Sequence, residues 1–255
     1  MADAPDNPAA DLALDARQTR PRNVGARIRR SEDPRLLAGR GSFVDDRPVA
    51  RCLHVAFRRS DHAHARLRAI GTAAARAAPG VVAVLTAEDL AEAVPLHAVS
   101  RMASYHATPI RALALAKVRF VGEPVVAVVA TSRYLAEDAC ELVEIDYDSL
   151  PVVADPEAAA RPDAPLLHEE AGTNVLVQRE FRRGEFETEM FAAPVRVRRR
   201  FRFHRKSPVA LENRAYLAEY DAGRDELTLH ASTQVPGIIR KRSARRWACR
   251  EIACG

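Results

Sequence analysis

The chain has no long apolar run: its longest, residues 125–130, is far short of the roughly 20 residues needed to cross a bilayer. Residues 1–23 lack the basic start and apolar stretch of an export signal. Neither membrane insertion nor export is therefore expected, and the expected location is cytoplasmic. Lysine is scarce as well. Arginine supplies 36 of the 39 basic residues, leaving Lys117, Lys206 and Lys241. With abundant alanine this skew reads as a GC-rich codon bias. The net charge of +5 would suit a polyanionic partner, but the cations are interleaved with acids except over residues 196–205 and 240–250. No single binding stripe results, and no nucleic-acid partner is expected. The four cysteines, Cys52, Cys140, Cys249 and Cys254, contain no C-x-x-C pair and no Cys/His spacing that would close a tetrahedral zinc site. They read as incidental thiols in a reducing compartment.

What is present is ordinary globular material. At 255 residues and 47% hydrophobic content, the chain can build one large domain or two modest ones. Residues 1–22 are rich in Ala, Asp, Pro and Asn without apolar periodicity and read as a disordered leader. Strands are expected at residues 52–57, 65–70 and 81–85, with a two-turn alanine-rich helix at 72–77 between the last two. Thr86 and Asp89 have capping-box spacing and predict a short helix over 87–93.

The second unit is clearer. Residues 118–121 and 125–130 are β-branched strands separated by the turn Gly122-Glu123-Pro124. Thr131 or Ser132 can cap a helix over 133–142, and residues 143–147 return as a strand whose apolar positions alternate with acids. Two such units predict a mixed sheet carrying helices. Residues 156–165, with Asp155 before them, have the Ala, Pro and acid composition of a linker. Beyond it, strand-like runs at 195–203, 215–220 and 227–232, the last two a hairpin, begin a strand-rich second domain. The fold class is α+β.

Several longer stretches, taken in order, carry a resemblance. They are Arg29-Arg30-Ser31-Glu32-Asp33-Pro34-Arg35-Leu36-Leu37-Ala38-Gly39-Arg40-Gly41-Ser42-Phe43-Val44-Asp45-Asp46; Arg59-Ser60-Asp61-His62-Ala63-His64-Ala65-Arg66, where a proline is more usual at Asp61; and Val118-Arg119-Phe120-Val121-Gly122-Glu123-Pro124-Val125 with Glu144-Ile145-Asp146-Tyr147-Asp148-Ser149-Leu150-Pro151. Leu211-Glu212-Asn213-Arg214 and Ser232-Thr233-Gln234-Val235-Pro236 complete the set. In register over about residues 23–241, they resemble the N-terminal part of the large subunit of molybdenum hydroxylases, the xanthine dehydrogenase, aldehyde oxidase and aerobic carbon monoxide dehydrogenase family.

The resemblance implies an N-terminal arm and α/β hammerhead domain over residues 23–155 and, over 166–242, the strand-rich start of a molybdopterin-binding domain. It also implies an oxidoreductase in which a molybdopterin-held molybdenum hydroxylates a carbon centre, a glutamate serves as base, and iron-sulfur and flavin subunits carry the electrons away. In the family the glycine-rich loop near the molybdenum, the catalytic glutamate and the residues that choose the substrate come later than residue 255. A fragment inactive alone and binding no cofactor is therefore expected, with no residue assigned a catalytic, cofactor-binding or metal role. The alternative is a non-catalytic module that docks an iron-sulfur or flavin subunit or a separately encoded C-terminal half.

Four side-chain groups have sharper readings. His62 and His64, two apart, could share a strand face and a metal, but no third ligand is indicated. Glu123 could be an acid or base, yet beside Gly122 and Pro124 it reads as a hydrogen-bonding turn carboxylate. By the resemblance, Glu212 and Arg214 lie near the cofactor pocket, where they equally suit a structural ion pair. Lys206 falls where some relatives place a neutral polar group.

Residues 243–255 break the pattern, holding the only tryptophan and half the cysteines. Back-translated with GC-rich codons and read one base earlier, they encode a leucine-bearing helix and a Leu-Pro turn of the kind with which the family continues. A frameshifted tail is the expectation.

Overall fold

The computed structural model describes residue 25 and residues 27–91, 95–98, 100–247 and 251–254. The expected leader over 1–22 lies outside them. An arm opens the described chain: helix α1 (Asp33–Leu37), begun by Pro34 in its first turn, and a 3-10 turn (Val44–Asp46). Strands β1 (His54–Arg59) and β2 (Ala65–Gly71) come next, then helix α2 (Ala73–Ala77) and strand β3 (Val81–Leu85). Short strands β4 (Leu96–His97), β5 (Pro109–Ile110) and β6 (Lys117–Val118) lead to β7 (Pro124–Ala130), helix α3 (Arg133–Glu141) and β8 (Glu144–Ser149).

These elements form two three-stranded antiparallel sheets, ordered β1-β7-β3 and β6-β2-β8, rather than the single mixed sheet expected. Strand β7 is central in the first, paired on both edges, and Val125 to Val128 are all buried. Burial at consecutive positions means that both faces of the strand are covered, which is why it reads as a continuous apolar run and not as an alternation. Strand β8 does alternate: Ile145 and Tyr147 are half-buried while Glu144 and Asp146 are exposed.

Helix α3 starts where the Ser132 hydroxyl accepts the Leu135 N–H at 3.3 Å. It buries only small side chains, Ala136, Ala139 and Cys140, so its backbone sits close against the sheet. Gly80 lies beside the start of this helix. At φ +73° it turns into β3, and a Cβ there would meet Leu135 Cδ1 at 2.6 Å and Thr131 Oγ1 at 2.8 Å. The core joins Val84, Val118, Val125, Val126 and Val128 to Ala65, Ala75, Ala114, Ala139, Cys140 and Val143. Each buried valine contributes about 1.5–2 kcal/mol of transfer energy.

Past β8 come helix α4 (Pro156–Ala159), a 3-10 turn (Glu169–Ala171) and helix α5 (Phe186–Ala192). Asp155 caps α4, accepting the N–H groups of Glu157 and Ala158 at 2.9 and 3.0 Å. The residues expected as a linker thus contain a helical turn. Strands β9 (Tyr216–Asp221) and β10 (Glu226–Ala231) make the expected antiparallel hairpin. Helix α6 (Pro236–Trp247) runs into the tail expected to be out of frame, and strand β11 (Glu251–Cys254) pairs parallel with β10.

Three expected elements differ. Residues 195–203 form no strand, because no described strand lies alongside to supply a ladder. The strand expected over 118–121 ends at Val118. Phe120 and Val121 enter a turn with Gly122 at φ +88°, whose N–H bonds the Ser60 carbonyl at 2.8 Å. The helix expected over 87–93 is a pair of turns through Ala91, although Asp89 accepts the Thr86 N–H at 2.7 Å as the capping spacing requires; residues 92–94 lie outside the described ones.

Candidate functional site

The most developed polar cluster joins the end of β6 to the chain after α4. Lys117, only 6% exposed, donates to Glu169 Oε1 at 2.6 Å. Arg119 donates through Nε to the Leu167 carbonyl at 3.0 Å, and its backbone N–H meets Glu123 Oε2 at 2.5 Å. The hydrogen bond from Lys117 holds the Glu169 carboxyl below its ordinary range. Burial pushes Glu123 upward, against the pull of the Arg119 N–H and of the charges on Arg119, His168 and Lys117. Glu123 is thus the turn carboxylate, accepting a backbone N–H through Oε2. One ammonium meets a carboxylate and one guanidinium meets main-chain carbonyls, an arrangement that fastens residues 166–169 to the chain around β6.

The sequence singled out Glu123 here but neither Lys117 nor Glu169. A usable signal exists in the composition: in a chain whose cations are nearly all arginine, a lysine flanked by apolar residues marks a buried stem.

The other candidates are not brought together. Glu212 Oε1 accepts the Val44 N–H at 3.0 Å, tying the arm to the second part of the chain. Arg214 and Lys206 are exposed, and among the described residues no ion pair joins Glu212 to Arg214. His62 and His64 precede β2 rather than lying on a strand. The His62 ring stacks on Tyr147 with centroids 4.4 Å apart. His64 is buried and its Nδ1 lies 2.7 Å from the Pro151 carbonyl, so that nitrogen carries the proton. The imidazoles therefore have separate partners, and the described residues hold no group of three or more His, Cys, Asp or Glu able to bind a metal.

Two open depressions of about 650 and 640 Å³ lie among the described residues. The first lies between residues 100–104 and 178–180, the second between α4 and residues 202–205, and neither contains Lys206, Glu212 or Arg214. No described helix is long and apolar enough to cross a membrane.

Comparison with known proteins gives two family matches. Residues 38–151 match the aldehyde oxidase and xanthine dehydrogenase a/b hammerhead domain, and residues 167–250 match a molybdopterin cofactor-binding domain. The chain is 40% identical to the carbon monoxide dehydrogenase large chain of Afipia carboxidovorans, over 85% of its own length and 28% of that protein. It is 38% identical to the nicotine 6-hydroxylase large subunit of Paenarthrobacter nicotinovorans, over 85% of its length and 27% of the relative. Among solved structures, quinoline 2-oxidoreductase from Pseudomonas putida 86 superposes with a TM-score of 0.83 at 35% identity, covering 90% of this chain and 30% of that one. The chain spans less than a third of the length of the curated relatives it matches. With both matches falling on the two structural parts, the chain belongs to the molybdenum-hydroxylase family of aldehyde oxidase and xanthine dehydrogenase, with the α+β fold of a hammerhead domain followed by part of a molybdopterin-binding domain.

Proposed function

We propose that this chain is the N-terminal portion of a molybdopterin-dependent hydroxylase large subunit, contributing its hammerhead domain and the opening of its cofactor domain, and that it is inactive by itself. The observation that carries the reading is the contrast between the two parts. The core is drawn from within residues 65–143, inside the hammerhead match, whereas the second part leaves Val195, Val197, Phe201, Phe203 and Leu211 between 76% and 95% exposed. A domain that had closed around its own core would bury them.

The test is expression of the full chain, with molybdenum analysis and dye-linked assays on aldehydes, purines and carbon monoxide. The expected result is neither stoichiometric molybdenum nor turnover. Bound molybdenum with substrate oxidation overturns the reading.

The same exposed side chains favour a second reading, a non-catalytic module docking an iron-sulfur or flavin subunit or a separately encoded C-terminal half. Stable co-purification with such a polypeptide supports it, and its absence when the neighbouring gene products are co-expressed removes it. A cytoplasmic location suits the free thiols of Cys52 and Cys140.

We also propose that residues 243–255 are read out of frame, on the strength of their composition and against the family match, which runs on to residue 250. Sequencing the gene through codon 242 tests this: an extra or missing base is expected, and an uninterrupted frame overturns it.

A further inference from the structure

Residues 195–206 carry chemistry that the hammerhead does not use. Pro194 and Pro208 bracket the stretch and none lies within it, so every residue keeps its N–H. It has neither helix nor strand, and its main chain makes no hydrogen bond among the described residues. Its side chains alternate. Arg196, Arg198, Arg200, Arg202, His204 and Lys206 occupy one set of positions; Val195, Val197, Phe201 and Phe203, all at least 76% exposed, occupy the other, broken by Arg199 and Arg205.

The cationic set already shows what it selects. Arg200 pairs with Glu157 at 3.3 Å and Arg202 with Asp155, so arginines two apart meet acids two apart. That spacing is the one with which an extended chain presents a single face. Arg196 and Arg198 have no acid partner among the described residues.

We propose that residues 195–206 are a strand-addition site for an extended partner segment in which acidic and apolar residues alternate. The open main chain offers the ladder that such partners add to, the arginines supply charge-assisted bonds to carboxylates, and Val195, Val197, Phe201 and Phe203 gain burial. A second copy of this chain is a poor occupant, because pairing the stretch with itself opposes like charges directly across the ladder. A single-stranded nucleic acid would satisfy the cations, but it has no amides for the main chain and only two phenylalanines on which to stack. Binding at this surface is independent of whether the chain holds a cofactor.

The experiment uses the full chain and three fluorescein-labelled probes: a peptide alternating glutamate with valine, one alternating lysine with valine, and an oligothymidylate. Saturable anisotropy is expected for the glutamate peptide, with little for the lysine peptide. A ¹³C-carbonyl label in the bound glutamate peptide should give a β-type amide I band. Arg196→Glu with Arg198→Glu should weaken binding at least about tenfold, equivalent to roughly 1.4 kcal/mol. Val197→Pro, which removes one ladder N–H, should weaken it while leaving the hammerhead melting transition in place. Equal binding of both peptides, tighter binding of the oligonucleotide, no binding of the glutamate peptide, or insensitivity to Val197→Pro each overturns the proposal.

Discussion

The Lys117 ammonium lies 2.6 Å from Glu169 Oε1, joining a buried side chain at the start of β6 to a turn about fifty positions later that is mostly open to water. The asymmetry decides what each substitution does. Glu169→Ala leaves the ammonium in place with only the Leu166 carbonyl, at 3.5 Å, as a second acceptor. The expected loss is about 1–2 kcal/mol, above the range for exposed pairs because a buried donor loses its best acceptor. Urea unfolding of the full chain measures it.

The pH dependence of that contact is set by its sign. The folded Glu169 carboxyl titrates below its ordinary value, so its stabilisation is present above that value and fades as the pH falls through the folded one. Glu169→Gln keeps an acceptor oxygen but removes the titration. Its stability should track wild type more closely in acid than at neutral pH, and an unchanged difference across the range contradicts the assignment.

Glu123 has the opposite sign. Its folded carboxyl titrates above the ordinary value, so its favourable contribution is present below that value and lost as the pH rises through the folded one. Glu123→Gln, whose amide oxygen can still accept the Arg119 N–H, should therefore compare better with wild type at pH 7 than in mild acid. Thermal melts at the two pH values give the comparison.

Gly80 and Gly122 both have positive φ, at 73° and 88°, but only Gly80 lies against other atoms. Gly122→Ala should cost about 1 kcal/mol from backbone strain. Gly80→Ala adds overlap with the side-chain ends of Leu135 and Thr131, which must shift, and should cost about 1 kcal/mol more. Equal losses in chemical denaturation would show that the close packing of α3 does not depend on Gly80.

Glu212→Ala should release the Val44 amide, with a loss of about 0.5–1.5 kcal/mol for one such hydrogen bond. Hydrogen exchange at Val44 should quicken while amides of β7 remain protected. Faster exchange throughout the hammerhead would mean that the contact supports the whole domain.

Local order was readable wherever local chemistry sufficed. Strand β3 falls on the residues expected of it, α3 begins at one of its two expected caps, and β8 shows its acid-apolar alternation. The pattern failed where an outcome depends on a neighbour. Val195 to Phe203 has strand chemistry but no described strand beside it, and Phe120 with Val121 is diverted by the conformation of Gly122. Helix α5 has no capping side chain to announce it. The candidate site divides in the same way. Glu123 was legible from Gly122 and Pro124 beside it, whereas the partner of Glu212 lies 168 positions away, beyond any periodicity. The pairing of Lys117 with Glu169 is equally remote, and only the rarity of lysine hinted at it.

The span between Val44 and Glu212 has a consequence for synthesis. Strands β1 to β8 find their sheet partners before residue 150, so the hammerhead can collapse while the ribosome is still translating the second part of the chain, as domains generally fold as units. The arm emerges first yet waits longest, since its long-range acceptor is made more than a hundred codons later. Until then its amide is left to water, and a nascent-chain protease should cut there before it cuts the sheets.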